Sequence, residues 1–354
     1  MSVSLTNFVD IDIQKHVDTI VKGTRDTVAL FTDYGNKGTE TTINSLAEAT
    51  EKYYGKSGAE KTYEYLKVYF DNGGVRAIVY EGHNSLSDAD IAALPDDIIC
   101  VASTSTIAVM KAIAKARLTI VGIKEKLILA STADKSIIDE ESVKNFIVKY
   151  SSITGAEMTI AAYLSKIDVY KINSVFDYMF TQETIAAESI SDDEYKKLIA
   201  ANYNVNIELA NASRACGGNC KDGAEITNNF VRIVLHQTLT QRLIQLLTTK
   251  LKSNSGLGKI YTTIAQELNY YLRDGYLTTD KIWTDEDWTV VGANDVTYTI
   301  IEKGTALTNG YIAKILPLSS LTANDKAEHK APNIYIVIAD QYAIRKIEIT
   351  GQVI

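Results

Sequence analysis

The sequence predicts an α/β protein, α+β overall, in which an α/β domain is followed by a mixed domain of helices and antiparallel sheet. Three observations predict it. Helix and strand periodicities alternate through roughly the first two hundred residues, two long helical patterns then follow in succession, and a run of short alternating strands closes the chain.

Val9, Ile11 and Ile13 alternate with Asp10, Asp12 and Gln14, so residues 8–14 read as a strand with one polar face. Residues 27–35 read as a second strand, 43–55 and 58–72 as helices, and 75–82 as a strand. Short buried strands at 97–104 and 126–132 flank a helix at 106–117. The helix that begins near residue 191 opens on a capping box, with Ser191 at the N-cap and Glu194 at N3.

After Asn206 the texture changes. A Gly-containing loop at 214–223 leads into a long amphipathic helix over 224–251, with Ile226, Phe230, Ile233, Leu239, Leu243, Leu246 and Leu247 near one broad face. A further helix over 257–275 stops at Gly275, a C′ glycine. Strands follow at 287–292, 296–304, 311–318 and 333–340, with the polar stretch 319–333 setting the last apart. In the final eleven residues Ile347, Ile349 and Val353 share one parity and Lys346, Glu348, Thr350 and Gln352 the other, a half-buried strand. The chain thus divides into a terminal strand arm (1–18), an α/β domain (19–205), an α+β domain (206–330) and closing strands with a second arm (331–354).

A terminal strand left unpaired would present open N–H and C=O groups beside an isoleucine-rich face. It either folds back within its own domain or takes its partner from another molecule.

Composition narrows the function classes. Hydrophobic residues make up 46% and charged residues 23%, an ordinary globular balance, and the formal charge of −8 comes with no dense basic run, so nucleic acid is not an expected partner. No apolar window is long enough for a membrane span and the start has no signal-peptide pattern, so synthesis and use from the cytosol are expected. Tyrosine is frequent, at 21 residues against 7 phenylalanines, which favours half-buried aromatic positions with wet hydroxyls and leans toward assembly surfaces.

No catalytic or cofactor pattern is complete. A phosphate-loop pattern at 253–260 fails twice, because Ser253 stands at its first glycine and Ile260 at its hydroxyl position. Gly73 and Gly74 precede a strand rather than follow one, which is a helix-to-strand turn and not a dinucleotide fingerprint. Cys216 and Cys220 could close a small loop or supply two soft ligands, but a structural zinc wants four, so buried thiols are expected. His16, His83, His236 and His329 are scattered, and the acidic groups Asp96–Asp97 and Asp192–Glu194 sit at a turn and a helix start, where capping explains them. No catalytic residue, cofactor or metal is expected.

Residues 63–82, a helix, a double glycine and a strand, resemble a segment of the tail sheath subunits of contractile phage tails and related injection machines. Residues 310–354 are similar to the closing segment of the short phage sheath family, with Asn324, Asp325, Lys326, Ala331, Pro332, Ile347, Ile349 and Val353 at the matching places. The helix ending in glycine at 275 also fits; residues 340–344 depart from the family, many of whose members carry small residues there.

The resemblance implies a structural subunit, polymerised as stacked six-membered rings around a tail tube and contracting to drive the tube through a host envelope. Its partners would be copies of itself, the tube protein, and baseplate and tail terminator proteins. It implies a place in the virion tail after assembly in the host cytoplasm, and arms exchanged between subunits as strands through Val9, Ile11, Ile13, Ile347, Ile349 and Val353. Arg242, Lys250 and Lys252, basic residues of the inner domain, are the candidates to face the tube. Two other readings share the fold texture: an α/β enzyme of unknown substrate, and a baseplate or adhesin-like binding module.

Overall fold

The computed structural model describes residues 25–120, 122–137, 141–171, 177–247 and 253–341. The two expected terminal strands, with Val9, Ile11, Ile13, Ile347, Ile349 and Val353, lie outside the described residues, as do His16, Lys250 and Lys252.

Eight strands form one sheet: β1 (Thr27–Phe31), β2 (Glu40–Ile43), β3 (Arg76–Tyr80), β4 (Cys100–Ser103), β5 (Leu127–Thr132), β6 (Phe146–Tyr150), β7 (Asn204–Leu209) and β8 (Ala212–Cys216). Their spatial order is β2-β3-β1-β4-β5-β6-β7-β8. The inner strands are all parallel to one another, and β2 and β8 run antiparallel at the two edges. Side chains of successive residues go to opposite faces, so Val28 and Leu30 enter one apolar cluster while Ala29 and Phe31 enter another. With both faces covered, the central strands read as continuous apolar runs rather than alternations.

On one face lie α1 (Leu46–Tyr53), α2 (Glu60–Asp71), α5 (Met158–Ser165) and the long α7 (Ile226–Leu247); on the other lie α3 (Asp88–Ala92), α4 (Ile107–Ala116) and α6 (Asp192–Ala200). The expected capping box of α6 is present, with the Glu194 N–H donating to Ser191 Oγ and the Ser191 N–H to the Glu194 carboxylate. The double glycine ends α2 in a Schellman turn: the Gly74 N–H donates to the Tyr69 carbonyl at 2.9 Å and the Gly73 N–H to Phe70 at 3.0 Å. Each glycine has its own reason. Gly73 has φ +79°, and a Cβ on Gly74 would stand 2.4 Å from the Tyr69 ring, whose hydroxyl donates to the Arg76 carbonyl at 3.0 Å.

The texture change read at residue 206 falls inside β7, which pairs with β8 through a two-residue loop whose Ala210 and Asn211 have φ +52° and +61°. Two positive φ values make this a type I′ hairpin. The outer edge of β8 is covered in turn by residues 180–183, since the Phe180 N–H donates to the Ala215 carbonyl and the Ala215 N–H to Thr181.

Beyond the sheet, α7 packs on α8 (Ser253–Arg273), which ends in a second Schellman turn at Gly275, φ +81°. Of the apolar stripe expected on α7, Ile226, Phe230, Ile233 and Leu239 are buried and Leu243 and Leu246 half-buried, but Leu247 is 41% exposed at the helix end. Four strands complete the fold as two ribbons, β9 (Trp288–Val291) with β10 (Thr297–Ile301), and β11 (Tyr311–Ile315) with β12 (Ile334–Ile338). The polar stretch before β12 carries a short helix, α9 (Ala323–Ala327), capped by Thr322 and Asp325 and closed by a left-handed His329. It is a folded connection.

Candidate assembly surface

The β11–β12 ribbon is packed on both faces, with Tyr311 and Val337 buried and most of its other residues half-buried. Tyr311, Ala313 and Ile315 of β11 stand opposite Ile338, Ile336 and Ile334 of β12, and this face packs into the main core against α8. The other face, with Ile312 and Val337, joins a small cluster with Ile300, Ile301 and Leu307, where Trp288 meets Tyr335 edge-on at 5.6 Å. Apolar contacts on both faces explain why β12 reads as "IYIVI". The ribbon has only two strands, so among the described residues neither its β11 edge nor its β12 edge is paired by a further strand. Only past the end of β12 does another segment join, where the Thr278 N–H donates to the Ala339 carbonyl and the Gln341 N–H to Tyr276. A strand edge between two packed faces is a ready template for β-augmentation.

Both ends of the main described run are moored to α7. Arg25 Nε donates to Gln237 Oε1 at 2.7 Å, and Asn228 Nδ2 donates to the Gln341 carbonyl at 2.9 Å. Gln237 and Asn228 are separated by about 13 Å along the helix axis at 1.5 Å per residue. Arg25 and Gln341 are thus tied to one structural member.

The same helix is clamped to the sheet layer by Glu125, 2% exposed, whose carboxylate accepts from Arg232 Nη1 at 2.8 Å and Nη2 at 2.6 Å, from the Gly122 N–H and from Asn145 Nδ2. Burial alone would raise this carboxyl; the bidentate Arg232 and the other donors overcome that and hold it at about 2 against an ordinary 4.5. A folded pKa below the unfolded one contributes stability that is present above about pH 4.5 and lost as pH falls toward about 2. Urea midpoints of the wild type and Glu125→Gln should therefore differ most at neutral pH and converge toward pH 2; a constant gap would refute the clamp.

A second buried charge sits at the heart of the main core. Lys149 on β6 is fully buried, donates to Thr159 Oγ1 at 2.7 Å and Tyr178 Oη at 2.8 Å, and forms an ion pair with Glu183, which also accepts from Tyr178 at 2.6 Å. Burial pushes the Lys149 ammonium below the usual lysine range against the opposing pull of Glu183. The pair fastens the segment that covers the edge of β8. Sequence reasoning passed over it, although a lone lysine in the apolar run "FIVKY" was a usable signal.

The residues considered for chemistry lie apart. Cys100, Cys216 and Cys220 are buried free thiols, burial pushing Cys100 and Cys220 up to about 12. His83 and His236 stand on different elements, and no group of metal-ligating side chains gathers among the described residues. Ser253 to Ile260 form the first turns of α8, with Ile260 packed in the core. Asp33 and Thr104, at the carboxyl ends of β1 and β4 where an α/β sheet would offer a ligand crevice, hydrogen bond to each other at 3.3 Å. Arg242 bonds Glu267 on α8 at 2.6 Å, an acid that also accepts from Tyr170 Oη. No described helix is long and apolar enough to cross a membrane.

An eight-stranded mixed sheet between helical layers, continued by a helix pair and two small antiparallel ribbons, defines a class of α/β proteins with added strand ribbons. Within that class, the chain has the fold of contractile sheath proteins. It superposes on the contracted helical sheath of the anti-feeding prophage with a TM-score of 0.63, 13% identity and 97% of each chain covered. Against the contracted PVC sheath of an extracellular contractile injection system the TM-score is 0.67 at 11% identity, with 99% of this chain and 98% of that chain covered. The crystal structure of a sheath tail protein from Desulfitobacterium hafniense gives 0.51 at 10% identity, covering 94% of this chain and all of that one. No family model and no curated protein matches the sequence.

Proposed function

We propose that the chain is the structural, non-enzymatic subunit of a contractile sheath. The observation that carries this reading is agreement in fold with sheath proteins over nearly the whole of both chains. Subunits stack as six-membered rings around a tail tube and contract to drive it through a host envelope. Their partners are other copies, the tube protein, and baseplate and terminator proteins, in the virion tail after assembly in the host cytoplasm.

The ribbon supports the joining mechanism. Its unpaired edges suit strands lent by neighbouring subunits, and the arms that would supply them carry Val9, Ile11 and Ile13 at one end and Ile347, Ile349 and Val353 at the other. Because Arg25 and Gln341 are both tied to α7, a pull on either arm would reach the subunit core. Arg242, Lys250 and Lys252 remain the proposed tube-facing charges, Arg242 while also holding Glu267. Contraction draws on free energy stored in an extended lattice.

Negative-stain electron microscopy of the concentrated protein at neutral pH tests this directly. Hollow tubes of stacked rings are expected, alone or around the cognate tube protein; dispersed globules under both conditions would overturn the reading.

A further inference from the structure

Where the end of α4 meets the turn into β6, a cavity of about 10 Å³ is lined by Ala114, Arg117, Glu125, Lys126, Ile128 and Asn145, among others. Arg117 and Asn145 are 8% and 9% exposed. Arg117 donates through Nη1 to Asp88 Oδ1 at 2.7 Å and through Nη2 to the Lys124 carbonyl at 2.8 Å, but its Nε–H meets no acceptor. Asn145 donates through Nδ2 to Glu125 Oε2 at 3.0 Å, and its Oδ1 meets no donor. One stranded donor and one stranded acceptor thus belong to residues that line the same small cavity.

Neighbouring groups do not resolve this. Turning the Asn145 amide over would set its oxygen against the Glu125 carboxylate, so its orientation is determined by that partner. The Glu125 oxygens already accept from Arg232, Gly122 and Asn145. A buried polar group without a partner costs about 1–3 kcal/mol, and this site has two.

We propose that the cavity binds one structural water, which accepts from Arg117 Nε and donates to Asn145 Oδ1. The size matches, since about 10–15 Å³ is the room one water needs. The chemistry discriminates further. An anion would satisfy Arg117 but oppose the Asn145 oxygen, and a cation would do the reverse; water is small enough for the cavity and both accepts and donates a hydrogen bond. Bound there, it links the end of α4 to the start of β6 through Asn145, the residue that also reaches Glu125 and, through it, Arg232 on α7.

The test is a crystal structure of the full-length protein at a resolution that shows ordered solvent, with a second crystal soaked in bromide. A single peak within about 2.7–3.2 Å of both atoms and no anomalous signal is the expected result. A bromide peak would replace water with an anion, and direct contact between Arg117 and Asn145, or empty density, would refute the site.

Discussion

Deleting residues 344–354 is expected to abolish tube formation while leaving a folded subunit. The subunit should survive because its core closes before the cut: Val337 and Ala339 are buried and Gln341 is bonded to Tyr276 and Asn228. The lattice should not. A strand added to a neighbour's ribbon contributes about five backbone hydrogen bonds at a net ~1 kcal/mol each, before any burial of Ile347 and Ile349. Losing ~5 kcal/mol per contact weakens association by roughly three to four powers of ten. Electron microscopy reads the tubes and a melting curve reads the fold; normal tubes from the truncated chain would sink the arm-exchange mechanism.

The second large effect is expected at the core ion pair. Glu183→Ala leaves the Lys149 ammonium buried without its counter-charge, and breaking such a pair from one side costs about 3–5 kcal/mol. Replacing both, as Lys149→Met with Glu183→Leu, removes the stranded charge and should recover more than half of the loss. Urea denaturation of the two variants separates the cases. A single variant within about 1 kcal/mol of wild type would mean that water or another carboxylate already compensates Lys149.

Elements whose pattern comes from one buried face were legible in the sequence. The helix at 58–72, its double glycine and the following strand stand where periodicity and turn chemistry put them, as does the Ser191 capping box. Two elements buried on every side were missed, although the equally buried β1 and β4 were read from their short apolar runs. β6 is buried at all five positions and α5 at all eight, so neither shows a polar period to read. β2, "ETTI", is a short charged edge with little apolar signal, and the β7–β8 hairpin turns through Ala210–Asn211 instead of the Asn-Gly that marks such loops. The open ribbon is a property of two strands separated by α9, visible only once they are paired.

The mooring of both ends to α7 also decides how the subunit bears mechanical load. Tension applied at Gln341 is divided between the Asn228 bond and the backbone bond to Tyr276, and tension at Arg25 reaches Gln237 on the same helix. From there it enters the sheet layer through Arg232 and Glu125. A pull at Gln341 is thus shared between two anchorages rather than unzipping β12 one bond at a time, a pull at Arg25 is taken up at Gln237, and α7 serves as the beam that carries both.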